Sequence, residues 1–452
     1  MPPTIALILC VVVVAVLLRL ERTQNPSVSG ALWVPTCWML IAGSRPIGRW
    51  GAADQSYQAL EGSPLDRLVL SVLILLALVI VYAKRKGEWS PILRDNMWLI
   101  LLFLYMALSA LWANYPVVSL KRWTKSAGPI LMALVILTEP RPLDAFASIL
   151  RRCAYILVPT SLVLIKYYPQ LGRAYHRWTG AEMWTGVTTH KNSLGQVCAV
   201  AVFFLTWEFF RKNTSRELIR TRYHIYADMF VLALSIFLLI GPGAGAYSAS
   251  SIFITVLGLA IFMILNRTKG LARLIAANLK VIVVFLVVLY LMLANTLVAT
   301  VTSMLGRNED LTGRTTDIWP LVLEAAARHP VLGAGYGGFW GLGGEVSLLL
   351  GLDQGHNGYL DVYLELGIVG LILLAVFFLN FCSKIRRECL DYNYDWGLFG
   401  LCFLFMILAY NTTETAFFDV YIGVTMVLMA VVFSTCLQEK LIKDTKSRPA
   451  SA

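Results

Sequence analysis

Two polar residues stand apart in an otherwise apolar chain. Arg314 follows Leu311-Thr312-Gly313, and His356 sits in Gly355-His356-Asn357-Gly358-Tyr359. An arginine is always charged and offers a planar fork of donors matched to phosphate oxygens. A histidine titrates near neutral pH and can take a proton from a hydroxyl. Together they suit transfer of a group from a phosphate leaving group to an alcohol, the arginine steadying the departing diphosphate and the histidine activating the acceptor. On residue type alone the signal is weak: a loop histidine is more often a surface or capping residue, and an arginine after glycine more often a solvated charge. A second cluster, Thr189-His190-Lys191-Asn192-Ser193-Leu194-Gly195, puts a histidine, a cation and an amide at the mouth of an apolar run. It reads either as an ordinary helix start with Asn192 or Ser193 as N-cap, or as a group that receives an anionic headgroup at the membrane boundary. Glu365 lies inside an apolar run, where an acid is costly and usually functional or paired.

Three other patterns carry less. Gly333-Ala334-Gly335-Tyr336-Gly337-Gly338 matches GxGxxG. That motif binds dinucleotides only between a strand and a helix, and here it follows a helical stretch, so tight turns are the expectation. Asn308-Glu309-Asp310 is acidic but lacks the spaced oxygen ligands of a metal site. The eight cysteines form no Cys-x-x-Cys pair and lie mostly in or beside apolar runs, which indicates neither zinc nor a disulfide framework. No metal and no cofactor are expected, and Arg314 and Lys191 would supply the positive charge that a metal-free phosphate departure needs.

The elements that position these residues are membrane helices. Of 452 residues, 58% are hydrophobic and 14% charged, against roughly 25% charged in soluble domains. Thirteen apolar runs can be marked, near 4–18, 30–43, 65–83, 96–113, 123–138, 145–165, 193–210, 226–242, 245–265, 279–300, 358–381, 396–412 and 418–437. The first is read as a retained helix rather than a signal peptide, because it lacks a basic start and a small-residue cleavage site. The expectation is an all-α, polytopic integral membrane protein of about 12–14 transmembrane helices, forming a single multi-pass domain over 1–452. Basic residues fall on alternate loops, which hold 25 of the 38 Lys and Arg. By the positive-inside rule those loops and the tail 438–452 are cytoplasmic. Loops 44–64, 166–192 and 301–357 then face outward, the last carrying the probable active site. Loop 44–64 reads as a solvated connector. Within 301–357 a helix is expected over Asp317–Arg328, and its amphipathic stretch 315–329 would lie on the membrane surface over the site. The net charge of +11 follows from such loops, and nucleic acid is not expected as a partner.

These residues resemble the O-antigen ligase and polymerase superfamily, most closely its exopolysaccharide polymerase branch. The resemblance rests on Thr189 to Gly195, on Thr312-Gly313-Arg314 with Ile318-Trp319, and on His329-Pro330 with Gly333 and Gly335. Gly355-His356-Asn357 with Tyr359, followed by Glu365 and Gly367, adds the most specific block. The stretches Leu32-Trp33 to Pro46 and Glu61 to Arg67 also look like that branch, so the likeness covers nearly the whole chain. It implies the helical membrane fold of lipid-linked glycosyltransferases. It also implies an undecaprenyl-diphosphate-linked oligosaccharide donor, and metal-independent, inverting transfer at the periplasmic face of a bacterial inner membrane. His356 would be the base and Arg314 a diphosphate ligand, with Lys191, His190, Asn192, Asn357, Tyr359 and Glu365 around the substrate. The family's ligases place an arginine near the position of Gly241-Pro242-Gly243-Ala244-Gly245, where this chain has no cation. Lys191 is a candidate substitute, and the departure favours a polymerase over a ligase that moves glycan to lipid A–core or protein. The resemblance further implies a flippase and a chain-length regulator as partners, with membrane lipid as the solvent. A competing reading of another class is a polysaccharide transporter, which many helices and broken segments would also suit. Against it stand the absence of an evident internal repeat and the concentration of polar chemistry in one outward loop.

Overall fold

The computed structural model describes residues 1–50, 63–84, 89–175, 180–211, 221–241, 247–304, 314–340, 352, 354–418 and 420–434, with backbone alone for 294–304 and 315–316. Asn308-Glu309-Asp310, Thr312-Gly313, Pro242-Gly243-Ala244-Gly245, most of loop 44–64 and the tail 438–452 lie outside the described residues.

The principal helices are α1 (Pro3–Gln24), α2 (Trp33–Ala42), α3 (Pro64–Lys84), α4 (Met97–Leu108), α5 (Pro116–Ile136), α6 (Pro142–Tyr167), α7 (Lys191–Phe210) and α8 (Arg222–Ile240). They continue as α9 (Ala249–Arg267), α10 (Lys269–Ala277), α11 (Leu279–Met304), α12 (Trp319–Ala327), α13 (Gly358–Asp391), α14 (Tyr394–Tyr410) and α15 (Tyr421–Val432). Seven of them (α1, α3, α6, α7, α8, α9 and α13) are long and apolar enough to cross a membrane, and α10 with α11, bent by 76°, makes an eighth if counted as one span. Shorter apolar helices fall at Gly30–Ala42, Met97–Leu111, α14 and α15. With α5 included, every one of the thirteen expected runs overlaps a helix among the described residues, and the protein is an all-α polytopic membrane protein. Several helices open with proline in the first turn, α1, α5 and α6 among them; an N–H is dispensable there and the ring presets φ.

The layers differ in what covers them. The apolar windows of α6 and α7 are 78% buried, whereas those of α1 and α3 are 17% buried, so α6 and α7 are central and α1 and α3 face lipid. The core between α7 and α14 is aromatic: Trp207 and Trp396 have centroids 4.5 Å apart, and Phe203 stacks on Phe399 at 5.1 Å. Three details depart from the expected pattern. Lys269–Ala277, expected within a basic loop, is a helix with Ala272 and Ala276 buried. Helix α5 begins seven residues earlier than its apolar run, at Pro116. Loop 166–192 holds a small antiparallel hairpin, β1 (Arg173–Tyr175) with β2 (Glu182–Trp184), in register Arg173 to Trp184.

The loops expected on one side do meet one another. Arg45 is buried and donates to the carbonyls of Gly186 at 2.8 Å, Thr188 at 3.0 Å and Leu171. The start of loop 44–64 is therefore a clamp on loop 166–192, not a solvated connector. At the opposite end several arginines are ion-paired. Arg151 meets Asp228 at 3.2 Å and Glu208 at 3.1 Å, Arg152 meets Glu21 at 2.7 Å, and Arg387 meets Asp95 at 2.7 Å.

Helix α13 is broken at Gly367, whose φ of 64° and ψ of −163° are non-helical. Such a break frees peptide groups that lipid cannot satisfy. The glycine-rich turn fills it. The N–H groups of Ala334 and Gly335 donate to the carbonyls of Leu364 and Glu365, both at 2.9 Å, and those of Ile368 and Val369 donate to Pro330 and Val331. GxGxxG here is a plug of tight turns. A Cβ on Gly333 would stand 2.3 Å from the backbone of Glu365 and Leu366, and one on Gly367 would stand 2.3 Å from Val331 O. The turn is gripped from the other side by α5 and the end of α4. Arg122 donates to Gly337 and Trp340 carbonyls at 2.7 and 2.8 Å, Ser126 meets Tyr336 Oη at 2.7 Å, and the Tyr336 N–H donates to Ser109 Oγ at 2.9 Å.

Gly333→Ala and Gly367→Ala should each destabilise the protein by on the order of 1–3 kcal/mol or more, because both need positive φ as well as space. Gly270→Ala, where a Cβ meets nothing, should be neutral or slightly stabilising. Thermal unfolding of the detergent-solubilised protein reads the difference, and equal melting temperatures for all three variants would contradict the plugged break.

Candidate active site

Arg314, His356 and Asn192 come from distant stretches of chain, and what brings them together is Glu414. This glutamate sits in Asn411-Thr412-Thr413-Glu414-Thr415, the short connection between α14 and α15. It is 3% exposed. Its Oε1 receives Arg314 Nη2 at 2.8 Å and Asn192 Nδ2 at 2.6 Å, and its Oε2 lies 3.1 Å from His356 Nδ1. Arg314 Nη1 also donates to the Thr413 carbonyl. Burial pushes the Glu414 carboxyl up, but Arg314 and His356 outweigh it and hold the group below the ordinary 4.5. A buried carboxylate with a guanidinium and two further donors is compensated; removing one partner would strand a buried charge.

Each member is positioned by local structure. Arg314 opens a five-residue π-type turn, Arg314–Ile318, that leads into α12. The expected helix over Asp317–Arg328 is thus split, because Pro320 near the start of α12 has no N–H to continue an earlier α-ladder. Through Val322 and Ala326, α12 packs on Trp340 and on Leu364 of α13. His356 has φ 52°, the single positive value among non-glycine residues described. Such conformations persist only where the surroundings over-determine them, and here they do. The Gly355 N–H donates to Asp361 Oδ1 at 3.0 Å, and the Gly355 carbonyl accepts from Trp319 Nε1 at 3.1 Å. Buried Asp361 also accepts from Trp340 Nε1 at 3.0 Å and from Thr415 Oγ1, tying the histidine loop to the connection that carries Glu414.

The imidazole has a defined orientation. Gln354 Nε2 lies 3.5 Å from Nδ1, a weaker approach than Glu414 Oε2 at 3.1 Å. A carboxylate only accepts, so Nδ1 carries the proton toward Glu414. In the neutral ring that leaves Nε2 unprotonated, ready to accept a proton. This is the logic of a base oriented by a third group.

The other expected site residues divide. Asn192 joins the cluster. His190, not Asn192 or Ser193, is the N-cap of α7, its Nδ1 accepting the Asn192 N–H at 3.2 Å. Lys191 is the first residue of α7, beside Asn192 and half-buried. Asn357 caps α13, its Oδ1 accepting from the N–H groups of Tyr359 and Leu360 at 3.1 and 3.2 Å. Tyr359 points into the core, with Oη on the Leu408 carbonyl at 3.0 Å and its ring edge-on to Phe417. Glu365 lends its carbonyl to the glycine-rich plug. Glu414 and Asp361 were not singled out from the sequence. Glu414 had a signal: an acid in a polar run between two apolar spans, in a loop that the charge alternation assigns to the outward side.

A cavity of about 330 Å³ lies beside the glycine-rich plug, lined among others by Trp112, Asn114, Arg328, His329 and Phe339. None of the four clustered residues lines it.

With this geometry in hand, comparison with known proteins is informative. Residues 229–375 match the model of the family described as O-antigen ligase. That span contains Arg314 and His356 and stops before Glu414. The chain is also 24% identical over 340 residues to the exopolysaccharide production protein ExoQ of Rhizobium meliloti (strain 1021), covering 69% of this chain and 70% of that protein. The resemblance drawn from the sequence is thereby supported by two separate findings.

The depressed pKa of Glu414 has a consequence for stability. Its ionised form contributes stability in full above 4.5, and that contribution disappears as pH falls through the lower folded-state value. Wild type should therefore melt higher than Glu414→Gln at neutral pH, with the gap narrowing as pH drops below 4.5. A gap that stays constant from pH 7 to pH 3 would show that the carboxylate is not held by its partners in this way.

Proposed function

We propose that this chain, similar over its centre to O-antigen ligases and more broadly to an exopolysaccharide production protein, is a membrane glycosyltransferase. In this reading it polymerises repeat units from an undecaprenyl-diphosphate-linked donor at the outer face of a bacterial inner membrane. The observation that carries the reading is the Glu414–His356 pair beside Arg314, at the end of the bundle where the outward-assigned loops gather.

In this reading the transfer is a direct displacement. A sugar hydroxyl of a second lipid-linked unit attacks the donor's anomeric carbon from the face opposite the diphosphate, so the configuration inverts. The bond between that carbon and the phosphate oxygen breaks with its electron pair, and undecaprenyl diphosphate departs. His356 Nε2 takes the hydroxyl proton, while Glu414 on Nδ1 steadies the imidazolium that results. Two of the five N–H donors of a guanidinium are spent by Arg314 on Glu414 and Thr413. In this reading the remaining donors, with Lys191, would meet the diphosphate in place of a metal. Trp112 and Phe339 beside the glycine-rich plug offer apolar faces on which sugar rings can pack. A flippase that delivers the donor and a regulator of chain length would be natural partners.

A second reading keeps the chemistry and changes the acceptor. The matched family is described as O-antigen ligase, which favours transfer of finished glycan to lipid A–core or to a protein.

Purified protein with a synthetic undecaprenyl-diphosphate oligosaccharide and EDTA present should lengthen the lipid-linked glycan. His356→Ala should lose roughly 10²–10⁴ in rate, the usual size of a general-base contribution. Glu414→Gln and Arg314→Lys should be similarly impaired while remaining folded, because the lysine keeps a positive charge beside Glu414 but lacks the guanidinium fork. Transfer only when a lipid A–core acceptor is supplied would select the ligase. A fully active His356→Ala would sink the mechanism.

A further inference from the structure

At the basic end, opposite the cluster around Glu414, α1, α2 and α6 enclose a cavity of about 280 Å³ lined by Leu18, Arg19, Glu21, Arg22, Trp33 and Arg152. We propose that it is a binding site for the headgroup phosphate of an anionic phospholipid. Nothing in the glycan-transfer reading is needed for it.

Charge comes first. Three guanidiniums face one carboxylate, so the cavity is positive. Arg152 is 5% exposed and spends Nε on Glu21 Oε2 at 2.7 Å, yet its buried Nη1 has no hydrogen-bond partner among the described residues. Glu21 Oε1 is likewise buried without one. A buried charged group with an unused donor is costly, and a phosphate oxygen is the acceptor that a guanidinium matches best. Arg152 also lies 5.0 Å over the Trp33 ring, which holds it in the cavity wall.

Position makes the ligand a lipid rather than a soluble anion. The outer face of α1 exposes Ile5, Ile8, Val12 and Val16 before it reaches Arg19 and Arg22. From Ile5 to Arg19 the helix rises about 21 Å at 1.5 Å per residue. Arg19 and Arg22 are three residues apart and share a face. An acyl chain can therefore run along the apolar face while the phosphate reaches the arginines. Trp33 is 41% exposed, the placement that indoles favour at the membrane–water boundary. Basic pockets between helices at that level suit anionic headgroups.

The test is native mass spectrometry of the full-length, detergent-purified protein titrated with phosphatidylglycerol, phosphatidylethanolamine or inorganic phosphate. Wild type should retain phosphatidylglycerol, and Arg152→Gln should weaken it roughly tenfold or more. Arg19→Gln combined with Arg22→Gln changes exposed residues only, so the fold is not at risk, and it should weaken binding similarly. Equal retention by wild type and the double variant would overturn the proposal. So would phosphatidylethanolamine bound as tightly as phosphatidylglycerol, or displacement of the lipid by inorganic phosphate at matching concentration. Glycan transfer, assayed separately, distinguishes failure here from failure of the catalytic reading.

Discussion

A peptide group freed inside a hydrocarbon layer has no water to turn to, and in this protein that constraint organises the end of the bundle that carries Glu414. Helix α13 breaks at Gly367, and the exposed backbone is satisfied by the chain from Pro330 to Gly335 folding into the gap. The plug is covalently continuous with α12 on one side. On the other, the chain returns through Gly355 and His356 to the start of α13. Docking the plug therefore sets where Arg314 and His356 can be. Arg122, Ser109 and Ser126 hold the plug against α4 and α5. The same contacts explain why glycine is required at 333 and 367 and why the motif has nothing to do with nucleotides.

Electrostatics completes the placement. Glu414 is buried, and a buried carboxylate is tolerable only with charge and hydrogen bonds around it. Arg314, Asn192 and His356 supply them from three other elements. The arrangement also orients the imidazole, so the requirement that stabilises the carboxylate fixes which ring nitrogen faces it. At the other end buried Arg151 with Asp228 and Glu208, and half-buried Arg387 with Asp95, fasten helices.

Much of the architecture was legible in the sequence. Apolar runs of membrane length need only composition to be recognised, and each of the thirteen overlaps a helix among the described residues. The alternation of Lys and Arg sorted the loops into two sets, and the contacts of Arg45 with residues 186–188 join two loops that it put on the same side. His356 and Arg314 were recognisable by type, surroundings and family resemblance. What composition could not show was local geometry. Helix α10 was hidden because a short amphipathic helix between spans looks like a basic loop. That His190 caps α7 and that Tyr359 anchors to Leu408 could not be read from residue type alone.

The sequence by itself determined the membrane class, the helical segments and the residue types able to move a proton and hold a phosphate. Those depend on side-chain chemistry and on periodicity, which are local. Only the tertiary structure decided that Glu414, 58 residues beyond His356, is the group that unites them. Long-range pairing of this kind has no periodic trace in a single chain. It arises because a carboxylate removed from water must find its partners wherever the helices bring them.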